Sequence, residues 1–396
     1  PRIGQSHNQP CMRLEASIYA QQGLEQHLLK ELKTRFSLSP DPHKTLPLFT
    51  IETDLETLLS ITYLSQMATR VTLPVHTGSL DSLTDITVSD TPALERLENN
   101  TYRVTADRNG DHTFTSVDVE QRVGGQLNKH GYDTVDLTAP ENIVYVRVNP
   151  DAYHIGLDLT GRDLSQRQYK VFSSNDGINA TLGYAFVQAC QIEPGDRVVN
   201  PFSRDGVIPI ETALRHKGKS VNHYSRDFKF DTLDLIDFFE MEEALDRTDQ
   251  DLQEDETDIH CYDRDFRSLK AQKKNAKIAG VEDHMTFSRF EPEYIDLKFD
   301  DFQVDLIYGR PPVPTRQFPR EKVETVYHDL FRYGKYVLRE TGRMVFLVRD
   351  DDLLLEMANK FTLKETGRET LQYNHLTFDA ITLEREHPEA LEATHL

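Results

Sequence analysis

Apolar and polar positions alternate over Leu14–Tyr19, Leu48–Ile51 and Arg70–His76, and each run predicts a strand. Between them the apolar residues move to helical spacing. Leu24, Leu28, Leu29 and Leu32 mark a helix that opens at Gly23-Leu24-Glu25 and reaches about Phe36, with a loop over Pro40–Pro47. Asp54 is placed to cap a second amphipathic helix extending to Ala68. This β-α-β-α-β order predicts a compact ferredoxin-like arrangement. A short strand and helix over Asp85–Leu97 follow, then a strand at Thr101–Arg108 and a helix at Ser116–His130 bounded by Gly131. Strands are expected in succession at Thr134–Thr138, Ile143–Asn149 and His154–Asp158.

The second half is arranged around three strand ends. Val198-Val199 runs into Asn200-Pro201, a polar turn holding Gly206, and a helical pattern from Ile208 to Leu214. A strand, a glycine turn and a helix N-terminus form the unit that sets backbone N–H groups against a ligand. Ile259–Asp265 repeats the strand and ends in acidic Asp263, which suits the two hydroxyls of a ribose. Val304–Pro314 is a third strand closed by a Pro-Pro turn. Residues 173–190 lead into this region. The acidic segment Arg215–Asp258 reads as mostly helical, with residues 246–258 a solvated charged loop. Ser268–Gly280 predicts a helix carrying Lys270, Lys273, Lys274 and Lys277 at the surface. A helix at Lys322–Leu338, a strand at Arg343–Arg349, a helix at Glu356–Phe361 and a closing hairpin through Tyr373–Leu383 complete the series.

The three strand ends stand as NPFSRDGVIPIETA, CYDRD and DLIYGRPPV. In order and spacing they resemble the S-adenosylmethionine-dependent RNA guanine-N2 methyltransferases that carry a THUMP domain, where the stretches read DPFCGSGT..IEA, G.D.D and D.I..NPPY. VDLTAPENIVYVRVN followed by GLDLTGRDLSQRQY resembles the second half of a THUMP domain, and Tyr224–Phe230 resembles an accessory R.FAF element. The resemblance implies an α/β chain: a flexible stretch over 1–12, a ferredoxin-like domain over 13–76 and THUMP over 77–160. A linker over 161–172 then leads to a Rossmann-like methyltransferase domain over 173–390 with a mostly parallel seven-stranded sheet. It also implies S-adenosyl-L-methionine as cofactor and RNA, most often tRNA, as partner.

Carried over position by position, the resemblance places Asn179 at a helix N-terminus by the methionine end of the cofactor. Asn200, Pro201, Phe202, Ser203 and Gly206 fall in the cofactor loop, Asp263 at the ribose with Arg264 also in the cofactor site, and Glu291 near the adenine amine. The acceptor turn becomes Arg310, Pro311, Pro312 and Val313. Here the chain departs from the family. Arginine only donates, so Arg310 cannot accept from a guanine amine. Val313 lacks the aromatic face that stacks on a base, and the Pro311 carbonyl is the acceptor that remains. Arg204 replaces a glycine, and Asn200 replaces an aspartate.

Three readings stay open: an enzyme with a modified pocket, a catalytically inactive fold that binds RNA or a protein partner, or a phosphate site made by Arg204 and Arg310. The window Gly161–Phe172 brings Arg162, Arg167 and Lys170 together, either as RNA-backbone contacts or as a solvated linker.

Composition adds one tension. The net charge is −21, from 66 Asp and Glu against 45 Lys and Arg, which by itself argues against a polyanionic partner. An acidic surface suited to high intracellular salt, as in a halophile, is the alternative. Cys11, Cys190 and Cys261 are far apart, so neither a disulfide framework nor a metal site is expected. With no apolar run near 18 residues and no leader pattern, a cytoplasmic protein with no membrane contact is expected.

Overall fold

The computed structural model describes residues 13–174, 177–251, 253 and 255–386, arranged as two compact units. The parts of the expectations that fall on residues 1–12, 175–176, 252, 254 and 387–390 lie outside the described residues. The first unit holds the chain up to Ser165 together with Ser225–Asp251, and the second holds Gln166–Tyr224 and the chain from Leu252 onward.

In the first unit β1 (Arg13–Ala20), α1 (Glu25–Phe36), β2 (Leu48–Asp54), α2 (Leu55–Leu64) and β3 (Ala68–Ser79) give the expected alternation. They are followed by α3 (Pro92–Glu95), β4 (Tyr102–Arg108), α4 (Ser116–Lys129), β5 (Asn142–Val148) and β6 (Ala152–Asp158). All six strands join one sheet in the order β2-β1-β3-β6-β5-β4, with β3 antiparallel to β6. The ferredoxin-like and THUMP segments therefore share a continuous sheet.

Three local expectations are corrected here. The second helix stops at Leu64, not Ala68. The buried Glu31 carboxylate accepts from the N–H groups of Gln66 and Met67 at 2.9 and 3.1 Å, pulling the chain out of helical geometry. Thr134–Thr138 is no strand; Val135 makes only an isolated bridge to Tyr102. Asp85–Leu97 likewise holds α3 without a strand, entered through a 3-10 turn at Leu83–Asp85.

The second unit begins with α5 (Ala180–Cys190), β7 (Arg197–Asn200) and α6 (Val207–Lys217). The chain then returns to the first unit for α7 (Phe238–Gln250), so the block 173–390 is interrupted. The segment 246–258 is helical as far as Gln250 rather than a free loop. Arg226 pairs with Glu242, Asp246 and Asp249 of α7 at 2.6–3.0 Å, which offsets the repulsion of that acidic run. Phe228 and Phe230, in the same Tyr224–Phe230 stretch as Arg226, are buried.

The rest is β8 (Asp258–Asp263), α8 (Phe266–Ile278), β9 (Met285–Arg289), β10 (Val304–Gly309), α9 (Arg320–Val337), β11 (Leu338–Val348), α10 (Asp352–Lys360), β12 (Leu363–Tyr373) and β13 (Leu376–Arg385). They form a seven-stranded sheet of order β12-β13-β11-β10-β7-β8-β9. β9, β8, β7, β10 and β11 run parallel, and β13 is antiparallel to both its neighbours, β11 and β12. Strands covered on both faces need continuous apolar residues, and Val198, Val199, Leu306, Ile307 and Tyr308 are all fully buried. Strand order reverses between β7 and β10, which places the crevice of an open α/β sheet beyond Asn200 and Gly309.

Candidate active site

The ends of β7 and β10 meet closely: a Cβ on Gly309, whose φ is 143°, would lie 2.7 Å from the Asn200 side-chain oxygen. Only glycine allows this approach. From Asn200 the chain turns sharply. Its side-chain oxygen accepts from Phe202 N–H at 3.1 Å, its carbonyl accepts from the Ser203 hydroxyl at 2.9 Å, and Ser203 N–H reaches the Tyr262 carbonyl of β8 at 3.0 Å. Pro201 is buried between them. Gly206 closes the turn at φ 87° as the N-cap of α6, packed so that a Cβ would meet Gln272 of α8 at 2.8 Å. Asn179 sits, as the sequence suggests, at the N-cap of α5 and accepts from Thr181 N–H at 2.8 Å.

Asp263 ends β8 in a buried position. One carboxylate oxygen accepts from Arg204 N–H at 2.9 Å and the other from Asp265 N–H at 2.8 Å. Burial pushes its pKa up, against the pull of those backbone donors. A carboxylate has about four lone-pair sites, so two remain for hydroxyl donors. Beyond it Arg264 lies over the Phe318 ring at 4.7 Å. Arg264, Glu291, Pro292, Phe318, Lys322 and Val326 border an open groove of about 210 Å³.

The opposite end of the crevice is closed. Arg204 is a non-glycine residue at φ 52°, in the left-handed region where its family counterpart is glycine. Its guanidinium donates to the Arg310 carbonyl at 3.4 Å. The space bordered by Ile178, Phe202, Ser203, Arg204, Asp205 and Arg310 is only about 10 Å³, whereas a small-molecule site is roughly 300–1,000 Å³. Asp205, missed in the sequence, is buried here with its pKa raised by desolvation. Lys170 lies 3.8 Å from its carboxylate and donates to the Ile178 carbonyl at 2.6 Å. Its only sequence signal is its place between Arg204 and Gly206.

Two buried amides also flank the loop with unmet hydrogen-bonding atoms, the Asn200 Nδ2 and both terminal atoms of Gln272. Each such group costs about 1–3 kcal/mol unless a polar ligand or water meets it. The residues present fit the nucleoside end of S-adenosylmethionine. In this conformation they do not fit its amino-acid end.

The acceptor turn comes together as expected in position but not in chemistry. Pro311 is buried, Arg310 and Pro312 are half-buried, and Val313 is 38% exposed. The Pro312 carbonyl is occupied by the Tyr327 hydroxyl at 2.7 Å. Arg167 is corrected outright: its side chain is fully buried and pairs with buried Glu211 at 3.0 Å, where Tyr169 also donates at 2.7 Å. It cannot touch RNA. Lys170 is committed to the loop as described, and Arg162 is half-buried in the turn before it. Among the described residues, Asp350, Asp351 and Asp352 stand close enough to share a cation, but Asp351 is already paired with Arg368 at 2.5 Å. No described helix is long and apolar enough to cross a membrane.

Comparison with known proteins agrees with this architecture. Residues 167–377 match the family described as RMKL-like, methyltransferase domain, and residues 88–158 match the THUMP domain. A tRNA (guanine(6)-N2)-methyltransferase of Methanocaldococcus jannaschii is 27% identical over 330 residues, covering 79% of this chain and 85% of that protein. The enzyme of the same name from Thermus thermophilus is 37% identical over 253 residues, covering 64% of this chain and 63% of its own length. Among solved structures, TrmN from Thermus thermophilus superposes with a TM-score of 0.65 at 23% identity, over 95% of this chain and all of that one, a likeness of fold.

Proposed function

Because this chain belongs to the RMKL-like methyltransferase family, with a THUMP domain ahead of that fold, we propose that it is an S-adenosylmethionine-dependent tRNA guanine-N2 methyltransferase. The observation that carries the reading is the meeting of three parallel strand ends at the switch point. β7 brings the glycine turn, β8 brings the Asp263 carboxylate, and β10 brings the Pro311-Pro312 turn. The relatives named for tRNA guanine-N2 methylation supply the substrate class. The cytoplasm is where this reading expects the tRNA substrate to be met.

The cofactor would be held by Asp263 at its ribose, by Arg264, Glu291 and Phe318 around its base, and by the Asn200–Gly206 loop. When bound it supplies an electrophilic methyl group. This chain's residues then need only align the acceptor nitrogen and take up hydrogen bonds from the amine. Arg310 cannot accept, and the Pro312 carbonyl is engaged by Tyr327, so the Pro311 carbonyl is the acceptor the turn offers.

One observation favours a second reading. Arg204 and Arg310 leave only about 10 Å³ at the amino-acid end, which favours a protein that keeps the fold and binds RNA without the reaction. Incubation with unmodified tRNA and methyl-labelled S-adenosylmethionine separates the two. Label recovered as N2-methylguanosine supports the enzyme. Binding of tRNA without any label supports the second reading.

A further inference from the structure

The face of α8 is the most uniformly basic surface the sequence puts on one element. Phe266–Ile278 contains Arg267, Lys270, Lys273, Lys274 and Lys277 and no acidic residue, in a chain whose net charge is −21. At 100° per residue these five cations fall within an arc of about 120° and extend about 15 Å along the axis. The buried residues Gln272, Asn275 and Ala276 occupy the opposite side. All five cations are exposed. Arg267 has a carboxylate neighbour in Asp265, the helix cap. No ion pair joins any of the four lysines to a described carboxylate.

A solvated helix in so acidic a chain would carry compensating carboxylates at i,i+4, as Arg247 has in Glu243 and Lys360 has in Glu356. α8 has none. Its row of cations repeats every 4.5–6 Å or so, the geometry of a rail for successive phosphates. Two rings lie beside the row. Phe266 is 63% exposed, and Phe172 is partly exposed with the Lys274 ammonium 4.3 Å from its centroid. Cations interleaved with accessible rings are what an unpaired nucleic-acid strand needs: charge for its backbone and faces for its bases.

Position ties this face to the crevice. α8 begins just after Asp263. The buried Asn275 amide holds the Phe172 backbone from both sides, at 3.0 and 2.8 Å, and donates to the Asp205 carbonyl of the glycine turn at 2.8 Å. One side chain thus fixes the exposed ring, the basic helix and the cofactor loop together.

We infer that the Lys270-Lys273-Lys274-Lys277 face of α8, with Phe172 and Phe266, is a second RNA-binding surface that holds a single-stranded segment of the substrate next to the crevice. The inference rests on the proposal that the chain binds tRNA, and it assigns that contact to the methyltransferase unit rather than to the THUMP segment alone.

The test is tRNA binding by the full chain, measured by fluorescence anisotropy across a KCl series. Wild type is compared with a variant carrying Lys270→Gln, Lys273→Gln, Lys274→Gln and Lys277→Gln, and with the corresponding four-fold Lys→Arg variant. Exposed Lys→Gln changes preserve helix propensity, and an unchanged melting temperature confirms folding. The Gln variant is expected to bind at least about tenfold more weakly. Its slope of log K against log salt should shrink by about 3, since each phosphate contact carries about 0.7–0.9. The Arg variant should match wild type. Equal affinity and slope in the Gln variant, with wild type still binding tRNA, would overturn the α8 surface and leave the RNA reading standing. A wild type that binds no tRNA would overturn both. A Gln variant that keeps tRNA binding but loses a protein partner would make the face a protein-docking surface and overturn the inference.

Discussion

Arg204→Gly tests the closed end of the crevice. The native residue sits at φ 52°, where an L-residue pays roughly 1–2 kcal/mol of local strain. Glycine removes that strain but adds about 0.5–1 kcal/mol of unfolded-state entropy. The bond lost to the Arg310 carbonyl is long at 3.4 Å and contributes little. Stability should therefore stay within about 1 kcal/mol of wild type, roughly 2–4 °C in Tm for a unit of this size.

Ligand affinity should change more. Space of about 10 Å³ opens, and one of two guanidinium groups beside it is removed. A guanidinium held within several ångströms of a sulfonium repels it by roughly 1–3 kcal/mol between the dielectric of bulk water and the effective value of about 20 near a protein surface, a factor of about ten or more. Calorimetry should accordingly show S-adenosylmethionine, a sulfonium, binding at least about tenfold more tightly to Arg204→Gly. S-adenosylhomocysteine has a neutral sulfur and gains only from the space. In molar KCl, where the screening length is about 3 Å, the difference between the two ligands should narrow. An unchanged S-adenosylmethionine affinity in a folded Arg204→Gly protein would refute the view that this side chain shuts the site.

Three further outcomes follow from the same geometry. Arg310→Asn combined with Val313→Tyr restores an acceptor and a stacking face worth roughly 1–3 kcal/mol, so methyl transfer to tRNA should rise by about tenfold or more. No gain in a protein that binds the cofactor would contradict the account of that turn. Arg167→Ala leaves the Glu211 carboxylate buried without its cation and should cost about 3–5 kcal/mol in denaturant unfolding. The fraction that stays folded should bind tRNA as wild type does; a selective loss of tRNA affinity at unchanged stability would reinstate Arg167 as an RNA contact. Burial holds His154 neutral, with its pKa lowered to about 3 from 6.5. The unfolded chain takes up that proton first, so this contribution is intact above about pH 6.5 and declines by up to ~1.4 kcal/mol per pH unit toward about pH 3. His154→Gln should flatten this part of the acid limb of a stability-against-pH curve, and an unaltered slope would show that the imidazole is not buried neutral.

What could be read from the chain was set by local pattern. The parallel strands announce themselves through unbroken apolar runs such as Val198-Val199 and Leu306-Ile307, and their ends through Asn200-Pro201, Asp263 and Pro311-Pro312. What could not be read depended on partners distant in sequence. Arg167 looks like surface charge until Glu211 of α6 is brought against it. α2 ends early because of a carboxylate on α1, and the acidic run of α7 is helical because Arg226 reaches three of its residues. Arg204 was visible as a lost glycine, but that its side chain reaches the Arg310 carbonyl and leaves almost no space is a matter of packing. The lysines of α8 read as ordinary surface until the buried side of the helix fixed them on one exposed stripe.

We propose that this fold still transfers methyl groups to tRNA around its two arginines, Arg204 and Arg310. The most direct test is nucleoside analysis of unmodified tRNA after incubation with methyl-labelled S-adenosylmethionine and the full chain, at moderate and at molar KCl. Label is expected in N2-methylguanosine, with a higher yield from Arg204→Gly. Absence of label from both proteins, each shown to be folded and bound to tRNA, would contradict the claim.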